Sequence, residues 1–174
     1  MSNLGSRVPK EPPYRDTEVP YTRTKGEIEL LLKTYGVKGV RWTSIEGRDD
    51  VLEFLAEPII RGFKKAITIT VSPPHIIIQK KIKGQVRDTE NLDQEYRLLF
   101  YWIKSKIEAI TWGLSTIERE FLSQITTALP DGRTVSVGDI IEERIAEDKL
   151  PSLSYFGEEP RGQVPKEKRP IIDV

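Results

Sequence analysis

Residues 97–113 read RLLFYWIKSKIEAITWG, a stretch in which Phe100, Tyr101, Trp102 and Trp112 mix with Arg97, Lys104 and Lys106. At a helical turn per 3.6 residues, Leu92, Tyr96, Leu99, Phe100, Ile103, Ile107 and Ile110 gather on one face. Leu98, Trp102 and Ala109 widen that face to about 200° of arc. The spacing predicts a helix from about 90 to 112, stopped at Gly113 and packed on a sheet and a second helix together. Phe100 and Trp102 then read as core rings. The outer strip carries Arg97, Tyr101, Lys104, Ser105, Glu108 and Trp112. Lys104 and Glu108 form an ordinary i,i+4 pair, and Trp112 is expected to pack under the following helix. Tyr101 is left as a stacking platform or a plain exposed ring.

Upstream of this spine the pattern changes. Thr24 with Glu27 reads as a capping box, Ile28, Leu31 and Leu32 as an apolar stripe, and Gly36 as the stop of a first helix. Four strands are predicted next. VKGVRWTSI places Val40 and Trp42 opposite Arg41 and Thr43, and DVLEFLAE returns after the turn EGRDD with Leu52, Phe54 and Ala56 inward. FKKAITITV puts Phe63, Ile67, Ile69 and Val71 on one side, with Lys64 on the other. HIIIQKKIK has Ile76, Ile78 and Ile82 inward, and His75, Ile77, Gln79, Lys81 and Lys83 outward. Short connections favour an antiparallel meander. Downstream, Ser115 with Glu118 opens a predicted helix through IEREFLSQITTAL, PDGRTV is a turn, and Ser136 with Asp139 opens a last helix.

The expected fold is therefore α+β: a four-stranded antiparallel meander covered on one face by the first helix and the long helix, followed by two shorter helices. Eight of the 12 prolines lie in residues 1–20 and 151–174. Residues 1–21 and 151–174 are thus read as extended arms around a single domain, 22–150. Tyr14, Tyr21, Tyr155 and Phe156 are the rings by which those arms would anchor.

Composition narrows the chemistry. The chain has 174 residues, no cysteine and one histidine, so thiolate sites, histidine clusters and serine triads are unavailable. His75 reads as an ordinary strand-edge residue. No glycine-rich phosphate loop is present, and the carboxylate pairs Asp49-Asp50 and Glu142-Glu143 suit a turn and a helix face. The expectation is a protein without catalytic residues, metal or cofactor. No leader-like or membrane-spanning run opens the chain, which points to a cytoplasmic location. Abundant Lys, Arg and Glu hints at a thermophilic source.

The net charge of zero conceals a basic middle: residues 60–115 carry 10 basic and 5 acidic side chains. Arg41, Lys64, Lys81 and Lys83 are predicted at outward strand positions and, with Lys65, Lys80 and Arg87 nearby, would place a basic strip along the sheet. With Arg97, Tyr101 and Lys104 from the helix they form a candidate surface for single-stranded nucleic acid, held by phosphate attraction and ring stacking. The alternative reading is a structural or protein-interaction component of an assembly, its arms reaching a neighbour. Outward Leu55 and Ile77 would serve a homo-oligomer formed through the sheet face or the arms.

TKGEIELLLKTYG, YRLLFYWIKSKIEAITWGLSTIEREFL and LPDGRTV together resemble an uncharacterised family of bacterial, archaeal and phage or prophage proteins over about 22–150. The chain has Ser105-Lys106-Ile107 where that family often has Ala-Lys-Leu. The resemblance implies phage-linked nucleic-acid metabolism or host interaction, and supplies no catalytic residue. In architecture alone, the plan is similar to the thermophilic archaeal single-stranded DNA-binding proteins that lack the usual barrel.

Overall fold

The computed structural model describes residues 13–44, 50–82, 84–129, 131–147 and 149. Lys83, most of the EGRDD turn, Tyr155 and Phe156 lie outside the described residues. The chain runs α1 (Tyr21–Thr34), β1 (Gly39–Thr43), β2 (Val51–Ala56), β3 (Ile59–Ile60), β4 (Phe63–Lys64), β5 (Ile67–Val71), β6 (Ile77–Ile82) and β7 (Gln85–Glu90). It continues with α2 (Leu92–Thr111), α3 (Ile117–Glu120), a 3-10 turn (Leu122–Gln124), β8 (Ile125–Ala128), β9 (Thr134–Ser136) and α4 (Val137–Ala146). The class is α+β, as the alternating and helical periods require.

Helix ends follow local chemistry only in part. Gly36 and Gly113 adopt φ of +84° and +70°, and both close Schellman motifs. Val37 N–H donates to Leu32 O, and Leu114 N–H donates to Ala109 O. Thr24 is not a cap. The helix begins three residues earlier, after Pro20, and the hydroxyl of Thr24 donates back to Pro20 O. The amide of Tyr21 is instead capped by Asp93 Oδ1 of α2 at 2.7 Å. Ser115 with Glu118 also fails as a box, because α3 starts after Thr116 without a side-chain cap. Ser136 with Asp139 does form one, with both reciprocal bonds at 3.0 Å.

The sheet departs from a four-stranded meander. Its order is β1-β2-β5-β8-β9, all neighbours antiparallel. The first three strands have the expected phase, with Leu52, Phe54, Ala56, Ile69 and Val71 buried. The fourth is β8, cut from a stretch whose period suggested helix. The β-branched run Ile125-Thr126-Thr127 favours extension, and Thr68↔Thr126 and Ile69↔Ile125 pair it to β5. FKKAITITV breaks after Lys64, so Phe63 pairs with Ile60 in a separate small hairpin and stands 68% exposed. The segment HIIIQKKIK also leaves the sheet. It pairs only with β7, which the sequence reading did not separate from the loop before α2, as an isolated two-stranded hairpin.

Helices α1 and α2 cover one face of the five-stranded sheet. Ile28 and Leu32 of α1, Leu99, Ile103 and Ile107 of α2, and Phe121 close the core over Leu52, Phe54 and Ile69. Phe100 is a partly buried packer at its rim. Trp102 is not core: it is 37% exposed and lies edge-on to Phe121, at 5.7 Å between centroids. Trp112 does not pack under a following helix, because the chain turns away at Gly113 and leaves the ring 80% exposed. Among the described residues no helix is long and apolar enough to cross a membrane.

Gly138, in the first turn of α4, lies against the 3-10 turn. A Cβ there would meet Ser123 O at 2.9 Å. Gly138→Ala should therefore destabilise by about 1–3 kcal/mol, although alanine is the better helix former. Thermal unfolding that shows a gain would mean the 3-10 turn yields freely.

Candidate nucleic-acid interface and the cleft beside it

The predicted basic strip is divided among three sheets, and carboxylates neutralise much of it. Arg41, on the open face of the main sheet, binds Glu53 directly across the strand pair, Nη2 to Oε2 at 2.5 Å. Lys64, on the small β3–β4 hairpin, binds Glu57 at 2.7 Å, and Lys65 beside it has its ammonium 6.0 Å from the centre of the Phe63 ring. The rest of the open face is built of Leu55, Thr68, Thr70 and Thr126, with the last two hydroxyls 3.5 Å apart. Among the described residues no continuous cationic track runs along it.

On α2, Arg97 donates to Glu27 of α1 at 2.5 Å, and hydrogen bonding from Arg97 holds the Glu27 carboxyl below the usual glutamate range. The Arg97 guanidinium also lies over Phe100 and Tyr101, at 4.9 and 5.2 Å. Lys104 pairs with Glu108 as its spacing predicts. Tyr101 is 36% exposed and stacks flat on Tyr14.

Lys80, Lys81 and Arg87 stand together. All three lie on the β6–β7 hairpin, exposed, and none has a carboxylate partner among the described residues. Lys80 faces Arg87 directly across the ladder, and Lys81 faces Val86. Arg87 reaches only the Gln85 side-chain carbonyl, at 3.2 Å. Gly84, just before β7, has φ +84°.

A cleft of about 560 Å³ opens at the root of this hairpin, lined by Tyr21, Lys25, Asp50, His75, Glu95 and Tyr96 among others. Sequence reading gave no role to its central cluster, in which residues from α1, the start of β2 and α2 converge. The Asp50 carboxylate accepts from Lys25 Nζ at 2.5 Å and from the hydroxyls of Tyr96 and Ser44. Burial raises the Asp50 pKa, but these three donors outweigh it and hold the carboxyl below the usual aspartate range. Burial, then the hydrogen bond to the Asp50 carboxylate, pushes the Tyr96 hydroxyl far above the ordinary tyrosine value. The Lys25 ammonium also sits 5.0 and 5.1 Å from the Trp42 and Tyr96 rings. Opposite, the Ile76 amide donates to Glu95 Oε1 at 2.7 Å and fastens the hairpin root to α2. Among the described residues no group of three or more metal-ligating side chains is placed to hold an ion.

The cluster joins three elements and so acts on stability. Asp50→Asn removes the charged acceptor and should cost about 2 kcal/mol at neutral pH. A carboxylate with a depressed folded pKa stabilises above its unfolded value of about 3.9 and loses that contribution as pH falls through the folded value. Wild type should therefore lose stability below about pH 4, and the variant should lose less over the same range. Equal acid slopes in denaturant titrations would remove Asp50 from the account.

No family model matches the chain, and no curated protein or solved structure matches it. The reading of function rests on the residues themselves.

Proposed function

We propose that the protein binds nucleic acid through the β6–β7 hairpin, with Lys80, Lys81 and Arg87 on the phosphates. The observation that carries this is the direct Lys80↔Arg87 pairing. Like charges opposite one another destabilise a two-stranded ladder, and no carboxylate among the described residues relieves them. The nearest acid in sequence, Asp88, faces Gln79 and so belongs to the other side of the ribbon. An external polyanion satisfies Lys80 and Arg87 at once, and Lys81, on the side of the ribbon that carries Asp88, reaches it around the strand edge. A two-stranded ribbon also has dimensions that enter a duplex groove or lie along a single strand.

Three phosphate contacts set the expected salt dependence. Each contributes a slope of roughly −0.7 to −0.9 in log K against log salt, so affinity should fall roughly 20- to 40-fold between about 50 and 200 mM. Fluorescence anisotropy with a labelled single strand and its duplex measures this. Absence of binding at the lower salt, or an affinity indifferent to salt, would overturn the proposal.

A further inference from the structure

We infer that the face of Tyr101 on which Tyr14 stacks is a platform for an unpaired nucleobase, and that Tyr14 occupies it as an internal stand-in. This rests on the nucleic-acid reading above and names the form of nucleic acid that the protein would hold.

The geometry of the Tyr14–Tyr101 pair sets it apart. Their ring centroids are 4.6 Å apart and their planes only 8° from parallel. The other close pairs meet edge-on or tilted: Phe54–Phe121 at 85°, Trp102–Phe121 at 83°, Phe100–Tyr101 at 77°, and Tyr21–Tyr96 and Trp42–Tyr96 at 44° and 43°. Edge-to-face contact is how packed rings commonly meet in a core. Flat overlap is how a base lies on an aromatic side chain in single-strand recognition. The platform is fixed from its own helix, because Arg97 is tied to Glu27 and holds its guanidinium over Tyr101 and Phe100. Arg97 is thus a positioning residue for the ring rather than a phosphate contact.

Tyr14 is held lightly by comparison. Its backbone has φ +61°, the left-handed region that a residue with a Cβ resists. The turn is fastened by Thr17 N–H donating to Tyr14 O at 3.2 Å and by Gln94 Nε2 donating to Pro13 O at 2.8 Å. Both rings remain more than a third exposed. A departing Tyr14 relaxes its backbone and uncovers a flat surface that is already oriented. A base stacking there replaces like with like, whereas a base locked in a duplex has no free face to offer.

The test uses the full chain carrying Tyr14→Ala, Tyr101→Ala, Tyr101→Phe or both alanines, with a labelled single strand and its duplex. Tyr14→Ala should raise single-strand affinity about 5-fold or more and leave duplex affinity unchanged. Tyr101→Ala should lower single-strand affinity by about 5- to 100-fold relative to Tyr14→Ala, the range of one lost base stack. It should also cancel the Tyr14→Ala gain in the double variant, while Tyr101→Phe keeps wild-type affinity. Unchanged or weaker single-strand binding by Tyr14→Ala would overturn the platform and leave the hairpin reading standing, as would equal effects on single strand and duplex. Failure of the wild-type protein to bind either form would overturn both.

Discussion

Phe121→Ala is expected to cost about 3–5 kcal/mol, the range for deleting a fully buried ring, and to lower the melting temperature more than Trp102→Ala on α2. Phe121 is 0% exposed although it belongs to a short connection rather than a long element. Its ring is the plug between the layers, edge-on to Phe54 of β2 at 5.3 Å and to Trp102 of α2 at 5.7 Å. Lys106 sets its ammonium 5.4 Å from the same ring and donates to Glu120 O at 2.6 Å, so the residue before Phe121 is pinned to α2. The void left by alanine would touch sheet, helix and connection together, with little freedom to collapse. Trp102→Ala, at a half-exposed ring, should cost only about 1–2 kcal/mol. Denaturant unfolding of both variants checks the ranking, and equal losses would place the plug elsewhere.

Reversing Lys80 and Arg87 together to glutamate should weaken nucleic-acid binding about 100-fold and reduce the salt slope toward zero, since two of three phosphate contacts become repulsions. The design separates binding from folding. Two glutamates face each other as the two cations did, so the ladder keeps one like-charge pair and its stability should stay within about 0.5 kcal/mol. Lys80→Glu alone creates an opposite-charge pair with Arg87. It should firm the hairpin by a few tenths of a kcal/mol while still costing affinity. Loss of affinity that follows loss of stability through the three proteins would defeat the hairpin reading, and so would full affinity in the double variant.

Much of the fold is legible in the chain because it is local. The 3.6-residue stripe of α2, the glycines that stop α1 and α2, the two-residue alternation of β2 and β5, and the Ser136 box each follow from a short window. The failures are of another kind. Nothing near Ile125 announces that β5 has a vacant edge for it, and nothing near Ile78 announces that the same edge is not its own. Strand partnership is decided between segments more than fifty residues apart. The candidate surface follows the same division. The Lys104–Glu108 pair could be read from spacing, whereas the neutralisation of Arg97 by Glu27, 70 residues away, could not. The Asp50 cluster is hidden for the same reason, since its donors come from α1, α2 and the residue after β1. Among the described residues, Lys80 and Arg87, opposed on one short ladder, keep their charge together.

The sheet order carries a consequence for synthesis. Strand β5 is complete at Val71, yet the strand that covers its outer edge begins at Ile125. While the ribosome adds the intervening residues, β1, β2 and β5 can assemble, but the Thr68 and Ile69 backbone presents open donors and acceptors to any neighbouring nascent chain. That interval includes α2, whose apolar face has the unfinished sheet as its natural cover. The sheet is thus exposed to misassembly until β8, the fourth of its five strands, emerges. A chain released early, anywhere between the end of α2 and residue 128, would keep most of its core and still carry an adhesive edge.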